Sequence, residues 1–183
     1  MPIVVGGRRK MKSLARLFLT ATAILTATAA GAETFVQTNC HMGGCTWSAI
    51  TSKIVIEKTG NGTLVGATFD ECGTTHRGKY PKTYSCRKSE IRQAQYVAFC
   101  STKNPSIAYK DGSKWARTKL SISDDGEFGY NIMSITQYLR ICHDFTRTGQ
   151  ESLDMIGAKF GYKSRDLGDD VQDTMDTIHQ LAE

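Results

Sequence analysis

The sequence predicts an α+β domain, with an antiparallel sheet through its N-terminal and middle part and two or three helices in its C-terminal third, stapled by disulfides. Three observations carry this expectation. Short β-branched and aromatic runs, broken by Asn61-Gly62 and Asp111-Gly112, fill the middle of the chain. From residue 131 onward the apolar positions change to helical spacing. All six cysteines (Cys40, Cys45, Cys72, Cys86, Cys100 and Cys142) follow an apolar leader. Strands followed by helices argue α+β rather than alternating βαβ units. Residues 33–128 are therefore expected to be mainly β and 129–183 mainly α, in one domain without repeats or linkers.

The strands are read from turn chemistry. Ile50, Ile54 and Ile56 precede Asn61-Gly62, and Leu64, Val65 and Phe69 follow. Asn-Gly between β-branched runs predicts a hairpin, since both residues tolerate positive φ. Residues 95–100 (QYVAFC) form a short apolar strand, and Asp111-Gly112 predicts a second hairpin. On its outgoing strand Ala116, Thr118, Leu120 and Ile122 share one face, and Trp115, Arg117, Lys119 and Ser121 the other.

The helices are read from period and caps. Ile132, Ile135, Leu139 and Cys142 make one stripe, with Asn131 as its N-cap. The run Thr148-Gly149-Gln150-Glu151 matches a capping box ahead of Leu153, Ile156 and Phe160, and Gly161 stops that helix. Leu167, Val171, Met175 and Ile178 form a third stripe with Asp169, Asp173 and Asp176 opposite. Those acids, with Asp170, lack the spacing of a calcium loop and read as a solvated helix face.

The first 32 residues read as a secretory signal. Arg8, Arg9, Lys10, Lys12 and Arg16 precede an uncharged run from Leu17, and Ala30-Gly31-Ala32 is a cleavage pattern. The run is too short and too rich in Thr and Ala to span a bilayer, which takes about 20 apolar residues. Met11 is a second candidate start. Cleavage removes five of the 23 basic residues and none of the 18 acids, so the mature chain is neutral overall. Its charge is uneven. Eleven cations from Arg77 to Lys119 face only Glu90 and Asp111, and the stretch from Asp144 to Glu183 is acidic.

An even number of cysteines in an exported chain implies a disulfide framework. Six allow fifteen pairings. Proximity and loop closure favour Cys40 with Cys45, Cys72 with Cys86, and Cys100 with Cys142. Cys40-His41-Met42 offers soft metal ligands, but an oxidising destination favours the disulfide, and no metal or cofactor is expected.

No catalytic motif is assembled. Asp70-Glu71 with His76, and His143 with Asp144, supply acids and bases but no G-x-S-x-G or zincin pattern. The basic middle carries the functional expectation. It interleaves cations with Tyr80, Tyr84, Tyr96, Tyr109 and Trp115, a mixture suited to polyanions and sugars. Arg87, Lys88, Tyr109, Trp115, Arg117 and Lys119 are the expected binding residues. The partner expected is an acidic envelope polymer, glycan or protein rather than nucleic acid. The expected role is a non-enzymatic, periplasmic or secreted binding protein. The alternatives are an inhibitor of a lytic enzyme such as lysozyme, contacting it through the acidic C-terminal helix, and a periplasmic hydrolase.

The stretch from Tyr96 to Tyr109, with Gly129-Tyr130 and Leu139 to His143 downstream, resembles small exported proteobacterial proteins of unknown function. That resemblance implies a periplasmic address and disulfides, and no activity. Size, compartment and β content are similar to those of periplasmic lysozyme inhibitors, but an S-G-x-x-Y loop is not found on this chain.

Overall fold

Strand after strand, the chain turns back on itself to give one seven-stranded antiparallel sheet in sequential order. The computed structural model describes residues 34–79, 82, 84, 86–126, 131–147, 151–168 and 171–182. The secretory signal expected at 1–32 lies outside the described residues. The strands are β1 (Val36–His41), β2 (Gly44–Thr59), β3 (Gly62–Thr75), β4 (Arg92–Cys100), β5 (Ser106–Asp111), β6 (Lys114–Lys119) and β7 (Gln172–Met175). Two short helices, α1 (Asn131–His143) and α2 (Leu153–Phe160), complete the frame with a 3-10 turn at Ile178–Ala182.

The α+β expectation is thereby corrected. The fold is sheet-dominated, and its last third is not mainly helical. The stripe Leu167, Val171, Met175 and Ile178 is not a helix. Gly168 takes φ +58° and donates its N–H to Asp166 Oδ1 at 2.9 Å, closing a turn inside the expected helix. The chain then pairs Gln172–Met175 with β6. Asp173 faces Arg117 in that register rather than a solvated helix surface. Asp169 and Asp170 lie outside the described residues.

Both hairpins form, one for a different reason from the one expected. Thr59 pairs with Gly62, so Gly60-Asn61 makes the turn, and neither Asn61 nor Gly62 has positive φ. Gly62 is needed for closeness instead. A Cβ there would sit 2.7 Å from the Cys100 carbonyl and 2.9 Å from the Phe99 ring. At the second hairpin Asp111 pairs with Lys114, and Gly112 supplies φ +59°, a conformation that costs glycine little.

Alternation along the strands sends two apolar sets to opposite faces. Ala67, Phe69, Ala98 and Ile107 pack beneath Ile135, Tyr138 and Leu139 of α1 and Leu153 and Ile156 of α2. Leu64, Val97, Phe99 and Ala108 are covered by Met175 and Leu181 from the C-terminal segment. At the β1–β2 end, Trp47 packs with the half-cystines Cys45 and Cys72.

Helix caps also differ in detail. Asn131 is already helical, the first described residue of α1 rather than its cap, and its buried Oδ1 has no hydrogen-bond partner among the described residues. Ser152 caps α2, accepting from the N–H groups of Asp154 and Met155. The residues Thr148 to Gln150 of the expected box lie outside the described residues. Gly161 ends α2 at φ +79°, as its position implies.

All three disulfides favoured by proximity are present: Cys40–Cys45, Cys72–Cys86 and Cys100–Cys142. They tie the β1–β2 hairpin, the start of the segment entering β4, and β4 to α1. No helix among the described residues is long and apolar enough to cross a membrane. Disulfides and the lack of such a helix are consistent with an exported protein.

Candidate functional site

The six residues expected to bind do not form one surface. Trp115, Arg117 and Lys119 alternate onto the same face of β6, as expected, but the C-terminal segment occupies much of that face. Arg117 Nε donates to Asp173 Oδ1 at 2.7 Å, its Nη2 reaches Asp173 Oδ2, and its Nη1 reaches the Gln180 carbonyl at 3.1 Å. This bidentate pair holds the Asp173 carboxyl below its ordinary pKa. Trp115 pairs with Met175 and packs on the cluster beneath Leu181. Lys119 donates its backbone N–H to the Val171 carbonyl. Tyr109 is exposed in register with Ala116, which alternation places on the opposite face from Trp115. Arg87 and Lys88 stand apart, before β4, and are exposed.

Those two belong to a different group of cations. Between β3 and β4 the chain carries Arg77, Lys79, Lys82, Arg87 and Lys88, all exposed. The segment is anchored by the Cys72–Cys86 bond. At its start the His76 N–H donates to the Gly43 carbonyl at 2.7 Å, and the His76 ring meets the Thr74 hydroxyl. Tyr84 lays its ring 5.9 Å from that of Trp47 and donates its phenol to Glu90 Oε2 at 3.1 Å. That acceptor, above all, raises the Tyr84 pKa. Among the described residues, the one carboxylate within ion-pair reach of these five cations is Glu90, 4.0 Å from Arg87.

Beside this segment lies a cleft of about 520 Å³ between β1 and α1. Gln37, Thr38 and Thr136 line it with Lys82, Tyr84 and Arg147. It therefore combines cations, an aromatic face and short hydrogen-bonding side chains. A second cleft, of about 510 Å³, is lined by Thr46, Glu71, Ser89, Glu90 and Arg92. The Tyr84–Glu90 hydrogen bond joins residues of the two.

Behind the second cleft is a polar network that the sequence reading missed. Arg140 on α1 is 1% exposed. Its Nη1 donates to the Ser48 hydroxyl and to Gln137 Oε1, its Nη2 donates to the Ser48 carbonyl, and its guanidinium lies 5.1 Å from the Phe69 ring centre. Gln137, fully buried, passes the polarity on by donating its Nε2 to Glu71 Oε1 at 3.1 Å. Tyr96 donates to that same oxygen at 3.1 Å. Burial raises the Glu71 pKa, while these two hydrogen bonds and the Arg140 charge lower it. The balance is upward. The available signal was Gln137 and Arg140 at helical spacing i, i+3, which reads as a solvated flank unless the sheet is known to cover it.

The histidines do not meet carboxylates in a catalytic arrangement. His76 bonds to Thr74 rather than to Asp70 or Glu71, which alternation sends to opposite faces of β3. His143 Nε2 lies 2.6 Å from the Tyr162 hydroxyl, which is 2.9 Å from that of Tyr138, and Tyr138 accepts from the Ser101 N–H. In the neutral tautomer protonated on Nδ1, Nε2 accepts from Tyr162. Burial lowers the His143 pKa from 6.5, with Asp144 opposing weakly. The unfolded chain then takes up the proton first. The stability that the neutral ring confers is complete above about pH 6.5 and declines as pH falls toward the folded-state pKa. His143→Gln keeps an acceptor for Tyr162 and is expected to flatten that decline. The check is the thermal midpoint of both proteins between about pH 7 and 5. Parallel curves would contradict it.

The acidic C-terminal helix expected to contact a lytic enzyme does not form. Asp173 pairs with Arg117, and Asp176 lies 3.6 Å from Lys114. No group of three metal-ligating side chains occurs among the described residues. Comparison of the chain with protein-family models, curated proteins and solved structures finds no match.

Proposed function

We propose that this chain is an exported, non-enzymatic binding module that recognises an acidic polymer or glycan through the segment between β3 and β4. One observation carries the reading: Arg77, Lys79, Lys82, Arg87 and Lys88 are all exposed on one disulfide-anchored segment, beside a cleft lined by Tyr84. Exposed cations carried on one segment attract a polyanion at a distance, and an aromatic face adds a stacking surface for a sugar ring. The leader-like residues 1–32 and the three disulfides support delivery to an oxidising compartment. The binding surface is thus moved from β6, whose cations hold the C-terminal segment, to the segment that ends in Arg87 and Lys88.

The test is binding of the chain from residue 33 to a polyuronate or a sulfated polysaccharide over a salt series. Affinity is expected to fall as salt rises, because the contacts are solvent-exposed. The triple variant Lys79→Glu, Lys82→Glu, Lys88→Glu is expected to lose roughly tenfold or more, at about 0.5–1 kcal/mol per exposed contact. Its thermal midpoint should stay near wild type, since none of the three side chains is buried. Binding that is unchanged by the triple variant rejects this surface.

A further inference from the structure

We infer that Glu71 anchors a second binding site, for a primary ammonium group, in the cleft it shares with Thr46, Ser89, Glu90 and Arg92. The lone pairs that Glu71 has left make the site. Oε1 already accepts from the Tyr96 phenol and the Gln137 amide, both at 3.1 Å. Among the described residues nothing donates to Oε2, and it is not among the sequestered polar atoms. It therefore opens on the cleft of about 510 Å³ that Glu71 lines.

The carboxylate is also held in place. Gln137 is pinned between Glu71, Ser48 and Arg140, and Arg140 is itself buried on Ser48 and Phe69. A chain of buried donors thus aims one acceptor oxygen outward in a fixed direction. Orienting a half-buried carboxylate in this way raises its value to a cationic ligand, because the protein has already supplied the ordering.

Geometry selects the kind of cation. A guanidinium binds best to two free oxygens in a bidentate fork. Glu71 offers one. An ammonium is a compact charge with three donors, so Oε2 can take one and the hydroxyls of Thr46 and Ser89 or the Glu90 carboxylate can take the others. Arg92 in the same cleft favours a ligand that also carries an oxygen acceptor, such as a sugar hydroxyl or a carboxylate. A divalent metal would need more ligands than these two carboxylates, and no three-residue cluster occurs among the described residues. The primary amine belongs to an amino sugar or to an amino acid, and the test separates the two.

The chain from residue 33 is titrated with glucosamine, with N-acetylglucosamine and with lysine methyl ester, and amide shifts are followed by NMR up to roughly tens of millimolar. Saturable shifts at Thr46, Glu71 and Ser89 are expected with glucosamine or with the ester, and none with N-acetylglucosamine, whose nitrogen is uncharged. The stronger of the two amines names the ligand. Glu71→Gln keeps an acceptor for Tyr96 and Gln137 and removes the charge. It is expected to weaken the amine at least tenfold. The Lys79, Lys82 and Lys88 charge-reversal variant should bind the amine as wild type does, so the two sites fail or stand separately. Equal shifts with N-acetylglucosamine overturn the inference on the wild-type protein alone. So do the absence of shifts with either amine and undiminished binding by a folded Glu71→Gln variant.

Discussion

Replacing Cys100 and Cys142 together by alanine is expected to lower the unfolding free energy by about 4 kcal/mol, the largest loss of the three disulfides. The bond spans 42 residues, and the chain it encloses makes β5, β6 and α1. A crosslink stabilises chiefly by restricting the unfolded chain, and the restriction grows with the loop it closes. On the same relation Cys72–Cys86, with partners 14 positions apart, contributes about 3 kcal/mol, and Cys40–Cys45, with partners five apart, about 2. Against a usual net stability of about 5–15 kcal/mol, the first loss brings the domain near its limit. Urea unfolding of the three double-alanine variants checks the order. A Cys40–Cys45 variant that loses as much as the Cys100–Cys142 variant would show that something other than loop closure decides.

The second large effect is expected at Arg140. Arg140→Met retains a long apolar stem over Phe69 but removes the guanidinium donors to Ser48 and to Gln137 Oε1. Removing one partner from a buried polar network typically costs about 3–5 kcal/mol, because the groups left behind stay desolvated. Glu71 would lose the positive charge that now opposes its desolvation, so its pKa would rise further. The double variant Arg140→Met, Glu71→Gln is therefore expected to lose less than the sum of the two single losses. Strict additivity in urea unfolding would reject the coupling through Gln137.

What the sequence made legible was local. The Asp111-Gly112 turn, the Ile135–Leu139 stripe, the Gly161 stop and the cysteine pairs are fixed by neighbours or by short loops, and each is found where expected; the first hairpin forms with its turn one residue earlier than expected. β7 was not legible, because its four residues are stabilised by β6, more than fifty positions earlier, and Met175 and Ile178 read equally well as a helix stripe. The same gap hid what covers β6. Alternation identifies which residues share a face of β6, but not that Asp173 and Gln180 return to cover Arg117. Glu71 and Arg140 were invisible for a related reason. Each is an ordinary polar residue in its own element, and only the packing of α1 across β2 and β3 turns them into a network.

Every half-cystine is bonded to the next one along the chain: 40 with 45, 72 with 86, 100 with 142. A polypeptide threaded N-terminus first past a thiol oxidant would therefore present each sulfur together with its mate, before the following pair emerges. Joining neighbours in order of arrival already yields the final set. On that order of joining no crosslink has to be undone, whereas a crossed or nested pattern would require it.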